Sequence, residues 1–125
     1  MAGELVPLVL VPRYTTYCGG NGSEFVTIGM DVTQYQKAIL QVWRGPIAGT
    51  SPDFNLSCQE SSDQVNWTAC AGTNVTDYDP GASTEGQADA TLTKRWFRVK
   101  LMLSATESDN VVTCWVVGFL EERLS

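Results

Sequence analysis

Between Lys94 and Ser104 every second residue is apolar: Phe97, Val99, Leu101 and Leu103 fall on one side, Trp96, Arg98, Lys100 and Met102 on the other. Only an extended chain with one buried face satisfies a period of two. Comparable short runs recur at Glu4–Val11, Glu24–Gly29, Lys37–Arg44, Asp53–Glu60, Val65–Ala71, Ala88–Thr93 and Asn110–Leu120, separated by Gly, Pro, Asp, Asn and Ser. No segment carries a sustained helical period. About eight short strands broken by turn residues predict an all-β chain, an antiparallel sandwich or jelly roll. At 125 residues the expected organisation is one domain over residues 1–125, with 1–12 an edge strand or an interchain arm.

Charge and cysteine usage exclude several functions. Lys and Arg number 8 against 14 Asp and Glu, and such a surplus repels phosphate backbones and anionic lipid. Direct nucleic-acid and membrane partners are therefore not expected. No basic residue precedes the apolar run at the N-terminus, and Pro7 and Pro12 interrupt it. The start therefore reads as mature sequence rather than a secretory signal. Cys18, Cys58, Cys70 and Cys114 are expected as free thiols. If Phe54, Leu56 and Cys58 share a core face with Val65, Trp67 and Ala69, then Cys70 points outward and cannot bridge to Cys58. Four glycosylation-type triplets, at Asn21, Asn55, Asn66 and Asn74, are expected from chance in so Asn- and Thr-rich a chain.

Catalytic hardware is sparse. With no histidine, the usual general-base and nucleophile arrangements are missing, and no two cysteines have zinc-ligand spacing. Asp77-Tyr78-Asp79-Pro80-Gly81 places two carboxylates before a glycine, but lacks the remaining ligands of a calcium loop and reads as a solvated turn. The glycine-rich Cys18–Ser23 stretch has no phosphate-loop lysine. The expectation is a non-enzyme with no catalytic residue, cofactor or metal.

Three features point to binding instead. Lys94, Arg95, Arg98 and Lys100 hold half of all basic residues, and Trp96, Arg98 and Lys100 form a strip that could dock an acidic surface or simply pair across the sheet. Two strands are apolar on both faces. In Asn110–Leu120 a central place in the sheet is one explanation. In Leu5–Val11, where Leu5, Val9 and Val11 oppose Val6, Leu8 and Leu10, Pro7 confines the segment to an edge or an arm. Leu5, Val6, Leu8, Val9, Leu10, Trp96, Arg98 and Lys100 are thus the expected interface residues.

The segment Ser61-Ser62-Asp63-Gln64-Val65-Asn66-Trp67 resembles the S-x-D-G-x-x-W turn of many β-sandwich modules, with Gln64 where glycine is usual. Together with Ile39-Leu40-Gln41-Val42-Trp43-Arg44-Gly45-Pro46 and the ending Trp115–Leu124, the chain resembles small virion proteins of tailed bacteriophages, capsid decoration proteins above all. That resemblance implies a protein folded in the host cytoplasm, located in the virion, bound to capsid protein on the outer head surface, and oligomeric, often a trimer. The alternative implied by the same turn is a carbohydrate- or receptor-binding module of a phage tail.

Overall fold

The computed structural model describes residues 3–19, 23–45, 53–73, 84–104 and 110–124. Ten strands form two antiparallel sheets packed as a β-sandwich, and the described residues contain no helix. The strands are β1 (Leu5–Gly19), β2 (Ser23–Val26), β3 (Met30–Asp31), β4 (Tyr35–Arg44), β5 (Asp53–Ser61), β6 (Thr68–Ala69), β7 (Ala71–Thr73), β8 (Thr84–Thr91), β9 (Trp96–Ser104) and β10 (Asn110–Glu122). One sheet has the order β1-β10-β4-β8-β7; the other runs β2-β9-β5-β6, with β3 also on β9.

The period-two pattern sets which side chains meet between the sheets. Phe97, Val99, Leu101 and Leu103 of β9 are at most 1% exposed, while Trp96, Arg98, Lys100 and Met102 are only half-buried. Facing them, the first sheet contributes Ala38, Leu40, Val42, Ala88, Ala90, Val112, Cys114 and Val116 to the same core. The alanines of β4 and β8 leave room for Phe97 and the leucines opposite, so the layers interdigitate.

β10 lies between β1 and β4, its inner face in the core and Val111 and Phe119 of its outer face exposed. β1 is an edge strand paired with β10 from Leu5↔Glu121 to Gly19↔Asn110. An edge tolerates Pro7, because alternate amides of an edge strand face away from the sheet and bond nothing there. Within β1, Leu8 and Val11 are buried and Leu10 packs against the core. Leu5 and Val9 remain exposed on the outer face.

The expected strand Val65–Ala71 does not form. Only Thr68–Ala69 pair with β5, at Glu60↔Thr68 and Gln59↔Ala69, and Ala71–Thr73 cross to β8 of the other sheet. Val65 is exposed rather than core-facing, and Cys70 is buried rather than outward. The face assignment was one residue out of step. Cys70 continues the register opposite Cys58, whose carbonyl accepts its amide at 2.9 Å, and both side chains sit in the core at the corner where the chain changes sheets. None of the four cysteines is joined in a disulfide. Gly72 makes the corner, with φ +136° and no space for a Cβ against the Asp89 carbonyl.

Candidate functional site

The outer face of β1, β10 and β4 carries exposed apolar side chains. Cross-strand register aligns Pro7 with Phe119 and Ile39, and Val9 with Val117 and Gln41. Leu5 is 50%, Val9 62% and Phe119 43% exposed. A sheet with one wet side ordinarily carries polar residues there. Here three adjacent strands put aliphatic and aromatic side chains on it.

At one end of this face the strand register breaks. Val11 pairs with Val116 and Thr15 with Cys114, so Pro12, Arg13 and Tyr14 together stand opposite Trp115 alone. The Thr15 hydroxyl closes the bulge by donating to the Pro12 carbonyl at 2.7 Å. Tyr14 takes a left-handed backbone, φ 63°, which is costly for any residue bearing a Cβ. Beneath the bulge, Trp115 and Trp43, paired across β10 and β4, stack at 6.1 Å with 16° between planes. Arg13 lies over Trp115 at 4.8 Å, and Tyr14 meets Trp43 edge-on at 5.8 Å. Trp115 is thereby buried, while Tyr14 stays 69% exposed. Next to this shelf, Gln41, Gln87 and Trp115 line a shallow depression of about 330 Å³.

Backbone outliers and bulges of this kind recur at functional sites and also re-aim side chains within a sheet. Tryptophan, tyrosine and arginine are also the side chains that dominate binding energy at interfaces. Sequence reasoning missed the shelf because the contact between Trp43 and Trp115 depends on long-range register. The parity of Trp115 with Val117 and Phe119 was the available signal.

The expected basic strip lies on the outer face of the second sheet, where each of its side chains has a partner within the chain. Arg98 covers Trp67 at 4.2 Å and donates to Gln59 at 2.9 Å. Lys100 meets Glu24 at 3.4 Å. Trp96 is covered by Arg95 at 5.0 Å, and Arg95 itself pairs with Asp31 at 3.1 Å. Exposed pairs of this kind are worth at most about 1 kcal/mol; Arg98, held by an amide oxygen and a ring, keeps its charge. Val6, half-buried, and Leu8 and Leu10, turned to the core, contribute little exposed surface.

The Ser61–Trp67 turn is built as its motif demands. Asp63 Oδ1 accepts the amides of Val65 and Asn66 at 2.8 and 2.9 Å, and Ser61 Oγ accepts those of Asp63 and Gln64 at 3.1 and 2.9 Å. These bonds hold the Asp63 carboxyl well below the usual carboxylate range. Two further polar groups are interior. Glu60 is 5% exposed and accepts the amides of Thr93 and Lys94; Arg44 is fully buried at the end of β4 and donates to the Gly45 carbonyl. Neither was expected from the sequence, since each falls on an inward parity usually filled by apolar residues. Among the described residues no group of three or more His, Cys, Asp or Glu could hold a metal ion. Asp77 and Asp79 lie outside the described residues. Among the described residues no helix is long and apolar enough to cross a membrane.

No protein-family model matches the sequence, and no curated protein matches it. Solved structures share its fold. The PBSX exported protein XepA matches with a TM-score of 0.59 and 17% identity over 96% of this chain and 38% of that one. The structure of infectious bursal disease virus, Gx strain, matches with 0.61 and 8% over 98% of this chain and 33% of that one. The CBM22-1-GH10 modules of Clostridium thermocellum endo-1,4-beta-D-xylanase 10B, complexed with xylohexaose, match with 0.52 and 12% over 98% and 29%. The chain thus spans well under half the length of each. At these identities the likeness is one of fold, a β-sandwich found in viral proteins and carbohydrate-binding proteins alike.

Proposed function

We propose that the chain is a non-enzymatic structural protein of a phage particle, a decoration protein that docks on the head through the outer face of β1, β10 and β4. The observation that carries this is the apolar face itself, running from Leu5 and Val9 through Phe119 to the shelf of Arg13, Tyr14, Trp43 and Trp115. Removing an exposed large apolar side chain from water is worth about 1.5–3 kcal/mol if burial is complete. Aromatic anchors ringed by aliphatic contacts are the usual anatomy of a protein interface. Beside this face, Val9, Leu10, Val26, Ile28 and Met30 line a groove of about 470 Å³ between the two edges of the sandwich, and Ile28 is 90% exposed. Both edges are open to another chain, which supports an oligomer. The sharing of the fold with an exported PBSX protein and with a virus supports the same reading. On this account the protein folds in the host cytoplasm, joins the virion, and multiplies a modest contact over many copies.

A second reading is carbohydrate binding, favoured by the depression in which Gln41 and Gln87 amides adjoin Trp115; one protein that shares the fold holds xylohexaose. The test is to assemble heads with and without the chain, sediment them, and count copies per head, alongside a panel of neutral oligosaccharides. A fixed copy number with no glycan binding supports the decoration reading. Glycan binding with no attachment to heads refutes it.

A further inference from the structure

At one end of the sandwich three segments converge: the turn between β3 and β4, the connection from β8 to β9, and the residues after β10. They enclose a groove of about 800 Å³ lined by Asp31, Thr33, Tyr35, Lys94, Arg95 and Arg123, among others. Three of the chain's eight basic residues thus meet one lining carboxylate, in a protein of net charge −6. Asp31 is already engaged by Arg95 and by the Thr33 hydroxyl and amide. A second carboxylate, Glu60, sits buried behind the groove with its oxygens taken by Thr93 and Lys94.

The two remaining cations are held without a carboxylate among the described residues. Arg123 donates from Nε to the Thr33 carbonyl at 3.0 Å and from Nη2 to the Leu92 carbonyl at 3.2 Å. Carbonyls orient the guanidinium without cancelling its charge, which leaves it preorganised for an anion. The Lys94 ammonium donates to the Thr68 hydroxyl at 3.1 Å. The backbone around them is tied down: Val32 bonds Arg95, Leu92 bonds Gln36, and Arg123 bonds Gln34.

We propose that this groove binds an extended, carboxylate-rich segment of a partner protein, with Lys94 and Arg123 as its charge contacts. Asp31 and the Thr33 hydroxyl then meet the segment's backbone amides and carbonyls, which a peptide has and a simple anion lacks. This site is separate from the apolar outer face, and its occupancy does not depend on attachment to a head.

The test is a titration of the isotope-labelled full chain with a hexaglutamate peptide at low ionic strength, followed by amide NMR shifts. Parallel arms use inorganic phosphate and a single-stranded oligonucleotide. Shifts confined to residues 31–35, 92–95 and 123, weakening as salt shortens the Debye length below about 10 Å, are the expected result. Lys94→Gln, which removes one exposed contact, should weaken binding about two- to fivefold, and Lys100→Gln, outside the groove, should not. Arg123→Gln also loses two carbonyl bonds, so Lys94→Gln is the decisive variant. The proposal is overturned by shifts elsewhere or none, by equal binding of the Lys94→Gln protein, or by phosphate or oligonucleotide binding where the peptide is silent.

Discussion

Replacing Gln64 by glycine should make this protein more stable, although it deletes a side chain and adds no contact. Gln64 sits at φ 63°, in the position where its turn motif ordinarily has glycine. The turn is held by others: Ser61 and Asp63 accept four backbone amides, and the Trp67 indole donates to the Gln64 carbonyl at 3.2 Å, a bond that glycine keeps. A left-handed backbone costs a residue with a Cβ roughly 1–2 kcal/mol. Glycine avoids that penalty but gives up about 0.5–1 kcal/mol in extra backbone entropy on folding. The net gain is about 0.5–1 kcal/mol, or a Tm rise of roughly 2–5 °C at this chain length. Thermal and urea denaturation of the wild type, Gln64→Gly and Gln64→Ala measure it. Alanine keeps the strain and should leave Tm nearly unchanged. A Gln64→Gly protein no more stable than Gln64→Ala refutes the reasoning and assigns the turn's stability to the glutamine side chain.

Gly118→Ala should destabilise by about 1–3 kcal/mol or more, because a Cβ there would collide with the Ile39 carbonyl of the adjacent strand; an unchanged denaturation midpoint would contradict the close approach of β10 and β4. The Asp63 carboxyl is held low chiefly by the Asn66 and Val65 amides, so its stabilisation is complete above its unfolded pKa and lost as pH falls through the lower folded value. The Tm gap between wild type and Asp63→Asn should therefore be widest above about pH 5 and narrow below about pH 4; a gap that is flat with pH would be inconsistent. Burial pushes the thiols of Cys58, Cys70 and Cys114 up to about 12, whereas Cys18 is exposed. Alkylation of the native protein near neutral pH should modify one thiol rapidly and the other three only after denaturation.

Strands with strong period-two patterns were legible without coordinates. β9 and the body of β4 and β10 fall where their apolar residues alternate, and Pro7 lies in β1 at the end of its sheet. The corner at Cys70 was not legible, because alternation says which residues share a face but not where a chain leaves one sheet for the other. Gly72, whose positive φ allows that exit, was the only local sign. The Arg13–Tyr14 bulge was hidden for a related reason: the run continues as strand to Gly19, and only pairing with β10 reveals three residues opposite one. The basic strip divided for a geometric reason. Arg98 and Lys100 follow the β9 face and find partners there, while Lys94 and Arg95 precede the strand and join Arg123, distant in sequence, at the end groove.

The docking account rests on the outer face of β1, β10 and β4, and the most direct test is a folded protein with that face made charged. Val9 and Phe119 are both exposed, so Val9→Lys with Phe119→Lys should leave the thermal midpoint within a few degrees. Half-buried equivalents of two large apolar side chains amount to about 2 kcal/mol of interface energy, roughly a 30-fold change in Kd. Cosedimentation with heads at graded protein concentration reads that change. The account predicts a folded double variant whose attachment to heads is weakened by at least that factor. Undiminished attachment by a folded double variant would contradict it.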